Sequence, residues 1–215
     1  MEIEAVSTME LWKKALSHII KQGRQFMDSD KRESKEVLNL KLTLLEPARD
    51  CDAPINRIRT FDEWVYPSPE EIEGIITGGK ISPAYTYSYG NRVFLYAGTI
   101  NQIDGYVVPL LTKDIESRRA SIIVWYPPED SRVKNKLVPG MVSMHFIVRD
   151  GLLHATAVIR SNDFFFGWPA NIYQAYTLER YTAEKVGVKI GSITTISISA
   201  HIFHDELPFI ERLLD

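Results

Sequence analysis

The chain has 215 residues, which is enough for one domain with a substantial apolar core. Hydrophobic residues at 45% exclude a disordered chain, and a net charge of −3 excludes a general electrostatic attraction to nucleic acid or anionic membranes. The single cysteine, Cys51, excludes an intramolecular disulfide and a multi-cysteine metal site, so no metal is expected. Neither a signal-peptide pattern nor a run of about 20 apolar residues is present, which predicts a cytoplasmic location.

The first third of the chain predicts a helix, a turn, a strand and a loop. Apolar residues at helical spacing, with lysines on the other face, predict an amphipathic helix over residues 10–22. A charged turn is predicted over residues 28–33, followed by a strand over 37–45 in which apolar residues largely alternate. Residues 46–70 are rich in proline, aspartate and arginine and predict an extended loop.

The remaining residues predict short helices and a largely antiparallel sheet. Helices are expected over 70–76, ended by Gly78 and Gly79, and over 100–111. Strands are expected over 120–126, 144–148 and 152–159, and Asp150-Gly151 predicts a tight hairpin between the last two. A helix over 172–186 and a strand over 193–203 complete the pattern. It predicts a single α+β domain over 1–215 with a mixed sheet of about five or six strands.

Alternation in the last strand predicts two faces. Ile196, Ile198 and Ala200 are expected on one face. Ser197, Ser199 and His201 are expected on the other.

The segment 160–173 carries the densest set of candidate ligand groups. Arg160 beside Ser161 suits a phosphate, because a planar guanidinium and a hydroxyl can share its oxygens. Asn171 offers a donor and an acceptor, which suits the edge of a pyrimidine, although read alone it is also a candidate helix N-cap. Elsewhere, the adjacent Arg118 and Arg119 indicate either an anion site or a solvated surface. Read alone, His201 is either a ligand group or a satisfied core histidine.

This segment resembles the nucleotide-binding segment of thymidylate synthases, and Trp168-Pro169-Ala170-Asn171 is similar to the short archaeal-type branch. Further matches between residues 85 and 203 keep the family's order: Tyr89-Gly90-Asn91-Arg92, Asn101-Gln102-Ile103, Ser117-Arg118-Arg119 and Ala200-His201-Ile202. The resemblance implies a thymidylate-synthase-like fold, with a mixed β-sheet layered with helices and a homodimer formed by packing the sheets. It also implies methyl or hydroxymethyl transfer to C5 of a pyrimidine nucleoside 5′-monophosphate, dUMP first, from a reduced folate or methanopterin-type carrier.

The resemblance also implies roles for individual residues. The phosphate would be bound by Arg160, Ser161 and Arg32, together with Arg118 and Arg119 donated from the partner subunit. The base would be bound by Asn171, which favours uracil because cytidylate-specific relatives carry an aspartate there. The sugar would be bound by His201, the carrier by Asp163 and Gly167, and Tyr89 would be the active-site tyrosine.

Three departures from the family pattern bear on activity. Gly140 stands where the family carries its nucleophilic cysteine, and Met141 replaces the histidine that follows. Phe203 replaces a sugar-binding tyrosine, which leaves a ribonucleotide open beside a deoxyribonucleotide. Cys51 lies between aspartates that raise a thiol pKa, so it is a poor substitute nucleophile. The family's conserved glutamate has only Glu71 and Glu73 as candidates.

Three interpretations therefore remain open. The chain is a one-carbon transferase whose nucleophile comes from elsewhere or whose cysteine was removed by engineering. Alternatively, it is a pyrimidine-nucleotide-binding homologue that has lost the transferase nucleophile. A structural interaction protein is the least supported interpretation, because it gives no reason for the clustered arginines.

Overall fold

The computed structural model describes residues 1–78 and 87–214, and these residues form one mixed seven-stranded sheet. The strands are β1 (Glu2–Ala5), β2 (Arg24–Met27), β3 (Glu33–Leu44), β4 (Ser121–Ile123), β5 (Met141–Arg149), β6 (Leu152–Asp163) and β7 (Lys189–Phe203). Their order is β1-β3-β7-β6-β5-β4, with β2 also paired to β3. The β1–β3 and β6–β7 pairs are parallel and the others antiparallel. The predicted α+β class is confirmed, but the strand number was too low because β1 and β2, four residues each, are too short to show alternation.

The four predicted helices are found with different ends, and four further short helices were not predicted. In chain order the helices are α1 (Thr8–Gln22), α2 (Ala53–Ile58), α3 (Pro69–Gly78), α4 (Tyr89–Phe94), α5 (Val108–Lys113), α6 (Pro127–Asp130), α7 (Gly167–Val186) and α8 (Leu207–Leu214). Those that were not predicted are α2, α4, α6 and α8. A π-helical turn (Ile103–Val107) leads into α5, and a 3₁₀ turn (His204–Glu206) leads into α8. Gly79, predicted to help end α3, lies outside the described residues. No helix in the described ranges is long and apolar enough to cross a membrane.

Two predicted elements are corrected. The segment 46–70 is not all loop, because it contains α2, which begins with Pro54 in its first turn, where the missing N–H of proline costs nothing. The helix predicted from residue 172 begins at Gly167. Asn171 is therefore inside α7 and is not its N-cap.

The core lies between the sheet and the helices α1 and α7. Alternate residues of β3, Leu40, Leu42 and Leu44, are almost completely buried. The indole N–H of Trp12 on α1 donates a 2.6 Å hydrogen bond to the carbonyl of Phe164, which follows β6. This bond ties α1 to the turn that leads into α7.

The predicted alternation of faces in β7 holds for Ile196, Ser197 and Ile198 and fails after Ile198. Ile198 is exposed but Ala200 is fully buried, so the two do not share a face. Ser197 is fully buried as well, whereas Ser199 lines a cavity. In the neighbouring strand, Asn39 has a φ of 54°, a left-handed conformation that bends a strand and shifts which side chains point inward. The predicted hairpin is confirmed, with positive φ at both Asp150 and Gly151.

Candidate active site

A cavity of about 280 Å³ at the ends of β6 and β7 brings together three predicted ligand residues: Arg32, Ser161 and His201. Glu36, Ser199 and Phe203 also line it. We call it the Arg32 cavity. Its contributors lie on neighbouring strands, because Ser161 pairs with Ser199 and Glu36 pairs with His201 in the sheet register.

Arg32 is held in place by a carboxylate and an aromatic ring. Its Nε–H donates a 2.9 Å hydrogen bond to Asp28, and Nη2 makes a 2.9 Å ion pair with the same carboxylate. The guanidinium carbon lies 3.9 Å from the centre of the Phe203 ring, which is a cation–π contact. Since Asp28 occupies the guanidinium fork, a phosphate that binds Arg32 must displace this carboxylate.

Asp163, expected to contact the carrier, is committed to its own turn. Its Oδ1 accepts the backbone N–H groups of Phe165 at 2.8 Å and Phe166 at 3.1 Å. Burial raises the pKa of Asp163, and burial together with Asp163 raises the pKa of Glu206 to about 9. This acid pair therefore retains a proton at neutral pH. Asp163 does not line the Arg32 cavity.

His201 is largely buried, and its environment favours the neutral ring. Burial lowers the pKa of His201, and this effect outweighs the opposing influence of Asp163 and Glu36. Its Nδ1 lies 3.4 Å from the hydroxyl of Ser199. A neutral imidazole can donate through one nitrogen and accept through the other, which suits a sugar hydroxyl.

A second cavity, of about 270 Å³, contains three further predicted site residues: Tyr89, Gly167 and Asn171. We call it the Tyr89 cavity. A methyl group placed on Gly167 would lie 3.4 Å from the Cβ of Asp163, an ordinary contact. The fold therefore tolerates a Cβ atom here, which would be directed at Asp163 and Asn162.

The amide of Asn171 is oriented by a buried residue that sequence reasoning missed. Asn171 Nδ2 donates to Asn162 Oδ1 at 3.0 Å, and Asn162 Nδ2 donates to Ser197 Oγ at 3.0 Å. In this assignment Oδ1 of Asn171 and the second hydrogen of Nδ2 remain available to a ligand. The available signal was an asparagine at an inward position of β6, since a buried amide needs polar partners.

Gly140 lies between the two cavities. A methyl group placed on its Cα would lie 3.1 Å from the Ser161 carbonyl oxygen and 3.3 Å from the Tyr89 hydroxyl. The backbone N–H of Met141 donates to the same hydroxyl at 3.0 Å. A side chain at position 140 would therefore crowd Ser161 of the Arg32 cavity and Tyr89 of the Tyr89 cavity, and at least one of these neighbours would have to shift by a few tenths of an ångström.

Four residues named from the sequence lie apart from both cavities. Arg160 donates through Nε to the carbonyl of Pro139 at 2.9 Å and through Nη2 to that of Val138 at 3.0 Å, so it braces the segment before Gly140. Arg118 and Arg119 are exposed on the loop before β4. The Cys51 thiol is buried and 3.8 Å from the carbonyl of Ile172, and burial first, then nearby carboxylates, raise its pKa.

Other polar residues that match the family serve the framework. Arg92 is buried and ion-paired with Asp130 and Glu129, each at 3.0 Å. Gln102 donates to the carbonyls of Arg92 at 2.9 Å and Ile123 at 2.7 Å, joining α4 to β4. Of the candidate glutamates, Glu73 is ion-paired with Arg180 at 2.8 Å, and Glu71 accepts the backbone N–H of Ser68 at 2.7 Å.

Comparison with known proteins assigns the family. The thymidylate synthase family model matches residues 48–215. A protein of Methanosarcina barkeri named "Putative thymidylate synthase" is 34% identical over 212 residues, which cover 99% of this chain and 94% of its own. A protein of the same name from Methanothermobacter thermautotrophicus is 32% identical, covering 94% and 92%. Thymidylate synthase 1 of Bacillus spizizenii is 30% identical over 127 residues, 58% of this chain and 44% of its own. The chain belongs to the thymidylate synthase family.

Proposed function

We propose that the chain binds a uracil nucleoside 5′-monophosphate across the Arg32 and Tyr89 cavities and transfers a one-carbon unit to C5 of the base. The observation that carries the proposal is the position of Gly140 between a cavity with phosphate- and sugar-type groups and a cavity with an oriented amide. Membership of the family supports C5 chemistry on a pyrimidine nucleotide in general. The family resemblance makes dUMP the first nucleotide to test.

Each part of the nucleotide has a matching group. Arg32 and Ser161 would hold the phosphate through charge-assisted and hydroxyl hydrogen bonds. His201 would hold a sugar hydroxyl. Asn171 would accept N3–H of uracil through Oδ1 and donate its second Nδ2 hydrogen to O4, a pairing that cytosine cannot match because its N3 is an acceptor and its C4 carries an amine.

The Tyr89 cavity also suits a one-carbon carrier. A reduced folate or methanopterin-type carrier would supply the methyl or hydroxymethyl unit when bound. Gly167 and Asn171 both line this cavity, so a carrier bound there would contact the Gly167 backbone beside the base-binding amide. Asp163 lines neither cavity, whereas Gly167 lines the Tyr89 cavity, so Gly167 is the better supported of the two predicted carrier residues.

We further propose a cytoplasmic homodimer in which Arg118 and Arg119 enter the partner's Arg32 cavity. The charge balance of the cavity supports this arrangement. Asp28, Asp30 and Glu36 line it together with Arg32, whose fork Asp28 already occupies. A phosphate dianion would be repelled by such a lining unless further cations reached it.

A specific observation favours a second candidate function, nucleotide binding without transfer. Gly140 has no side chain to add to C6 of the base, and Cys51 is buried with a raised thiol pKa and lines neither cavity. A thiolate rather than a thiol is the nucleophile, so Cys51 does not replace the missing group. The two candidates share the nucleotide site and differ in whether a covalent bond forms at C6.

Exchange of the C5 hydrogen in heavy water separates these candidates, because exchange requires reversible addition at C6. The wild-type chain, Gly140→Cys and the control Cys51→Ser would each be incubated with dUMP and with UMP, with and without a reduced pterin. Wild-type exchange that survives Cys51→Ser supports transfer by a nucleophile from another group. Saturable binding without wild-type exchange, together with exchange by Gly140→Cys, supports the binding function. If neither nucleotide binds, the proposal is wrong.

A further inference from the structure

The sugar end of the Arg32 cavity contains a carboxylate that no family assignment accounts for. Glu36 lies on β3 directly opposite His201 of β7, and both line the cavity with Ser161 and Ser199. Among the described residues, Glu36 has no ion-pair partner and one side-chain hydrogen-bond partner, the Ser199 hydroxyl. The only described cation in the same cavity, Arg32, is already paired with Asp28. Glu36 is therefore not explained as a counter-charge.

A hydrogen-bonded chain orients this carboxylate. An ionised carboxylate only accepts hydrogen bonds, so the Ser199 hydroxyl donates to Glu36 Oε1. The serine oxygen is then free to accept from Nδ1–H of His201, 3.4 Å away. This arrangement puts the histidine proton on Nδ1 and leaves Nε2 as an acceptor. The cavity thus offers the Glu36 carboxylate and His201 Nε2 as neighbouring acceptors.

Two neighbouring acceptors match the two donors of a ribose cis-diol. A ribose presents the 2′- and 3′-hydroxyls side by side, whereas a deoxyribose presents the 3′-hydroxyl alone. Acidic side chains bind ribose 2′-hydroxyls in unrelated dinucleotide-binding folds for the same reason. With a deoxyribose in place, the Glu36 carboxylate would lose water and gain no donor, which disfavours binding.

Phe203 removes the competing way to hold the sugar. Its ring carries no hydroxyl and lies against the Arg32 guanidinium, 3.9 Å from the guanidinium carbon to the ring centre. The ring therefore supports Arg32 and offers the sugar no hydrogen-bonding group. Sugar recognition is left to the polar groups on β3 and β7.

We propose that Glu36, oriented by Ser199, binds the ribose 2′-hydroxyl and makes this site selective for a ribonucleoside 5′-monophosphate, UMP over dUMP. The inference rests on the proposed nucleotide site. It changes the substrate class from the deoxyribonucleotide that the family resemblance implies to a ribonucleotide.

Calorimetric titration of the full-length protein with UMP and with dUMP tests the inference. Wild-type protein is expected to bind UMP about 10- to 100-fold more tightly than dUMP, the range for a hydrogen bond to a charged group. Glu36→Gln is expected to lower UMP affinity and to raise dUMP affinity until the two are about equal, because a neutral amide loses less than a carboxylate when it gives up water. Glu33→Gln, on the same strand with its carboxylate bound to His204 outside the cavity, is the matched control and should change neither affinity.

A second variant keeps the test independent of how Glu36→Gln folds. Phe203→Tyr restores a hydroxyl at the sugar and should tighten dUMP binding more than UMP binding. Equal wild-type affinities, tighter dUMP binding, or an equal loss of both nucleotides in Glu36→Gln would overturn the ribose assignment while leaving the nucleotide site in place. Binding of neither nucleotide would instead overturn the proposed function and the inference with it.

Discussion

At the scale of single residues, base recognition depends on a buried pair. Asn171 reaches the Tyr89 cavity with its amide nitrogen bonded to Asn162, and Asn162 is bonded in turn to Ser197. This chain fixes which edge of the Asn171 amide meets the ligand. The base preference is therefore set jointly by the residue in the cavity and by the residue that positions it.

Exchanging the amide of Asn171 for a carboxylate should exchange the base preference. In Asn171→Asp the side chain only accepts hydrogen bonds, so it can receive the amine of cytosine but has no hydrogen for O4 of uracil. Asn162 can turn its amide to donate to the new carboxylate and accept from Ser197, so the fold should be retained. We expect UMP affinity to fall about 10- to 100-fold and CMP affinity to rise, measured by calorimetric titration.

Gln174→Glu is the matched control for that exchange. Gln174 lines the same cavity and lies on the same helix, so the substitution introduces the same charge in the cavity at a different position. Gln174→Glu should change the UMP and CMP affinities by the same factor, so that their ratio stays as in the wild type. If Gln174→Glu altered the ratio of UMP to CMP binding as strongly as Asn171→Asp, base recognition by Asn171 would be refuted.

Residue identity and spacing predicted candidates well but could not predict side-chain neighbours. Arg32, Ser161 and His201 do line one cavity, although they come from three separate parts of the chain. Arg160, adjacent to Ser161, instead donates to backbone carbonyls 21 and 22 residues away in the chain. The importance of Glu36 depends on its register opposite His201, which no local pattern reveals.

At the scale of elements, α7 carries a carboxyl group in an unfavourable place. Glu179 is fully buried, and both of its carboxylate oxygens lack a hydrogen-bond partner among the described residues. Burial raises its pKa from 4.5 to about 9. The folded chain therefore holds a proton on Glu179 at neutral pH, whereas the unfolded chain does not.

This difference predicts that stability falls with rising pH. Between the unfolded pKa of 4.5 and the folded pKa of about 9, the folded state binds one more proton at Glu179. The free energy of unfolding should therefore decrease by up to about 1.4 kcal/mol per pH unit across this range. In Glu179→Gln this contribution disappears, so the stability of the variant relative to the wild type should increase as the pH rises from about 5 to about 8. Urea denaturation at a series of pH values would measure the free energy of unfolding of both proteins.

Glu184→Gln on the same helix is the control, because Glu184 is exposed. Its stability should follow the wild-type pH profile. A parallel profile for Glu179→Gln and wild type would show that Glu179 is ionised or solvated in the folded state. Glu206, whose pKa is also raised to about 9, contributes in the same pH range and remains in all three proteins.

Elements with a long, regular pattern were predicted from the sequence, and those shaped by their neighbours were not. The amphipathic α1 and the hairpin at Asp150-Gly151 depend on local periodicity and turn chemistry, and both were found. The short strands β1 and β2 exist because β3 offers a free edge to pair with. The change of face in β7 occurs beside a left-handed residue, Asn39, in the adjacent strand, and no alternation within β7 reveals it.

At the scale of the whole molecule, the sheet has one face that the core does not use. Leu38, Ile147 and Ile198 on β3, β5 and β7 are 61%, 37% and 44% exposed, while the opposite face packs against α1 and α7. Exposed apolar side chains spread over three strands are typical of a surface that meets another protein. Sheet-to-sheet packing of two subunits would cover this face, consistent with the proposed dimer.

Mixing two variants that each bind nucleotide weakly tests whether Arg118 and Arg119 act across such a dimer. The double variant Arg118→Ala/Arg119→Ala keeps its own base-binding Asn171 but donates no arginines. Asn171→Ala loses base binding but can still donate both arginines to its partner. A mixed dimer therefore contains one site with all groups intact and one site with both defects.

After unfolding and refolding an equal mixture, random pairing should restore about one nucleotide site in four at wild-type affinity. Each variant refolded alone should bind weakly, which calorimetric stoichiometry would show. If the arginines acted within their own subunit, every site in the mixture would keep one defect, and no tight sites would return. Lys134→Ala, which removes an exposed cation from another loop, is the control and should bind nucleotide at every site when refolded alone. Recovery of tight sites would thus place the two arginines in the partner's phosphate site and, by the same result, establish the dimer in solution.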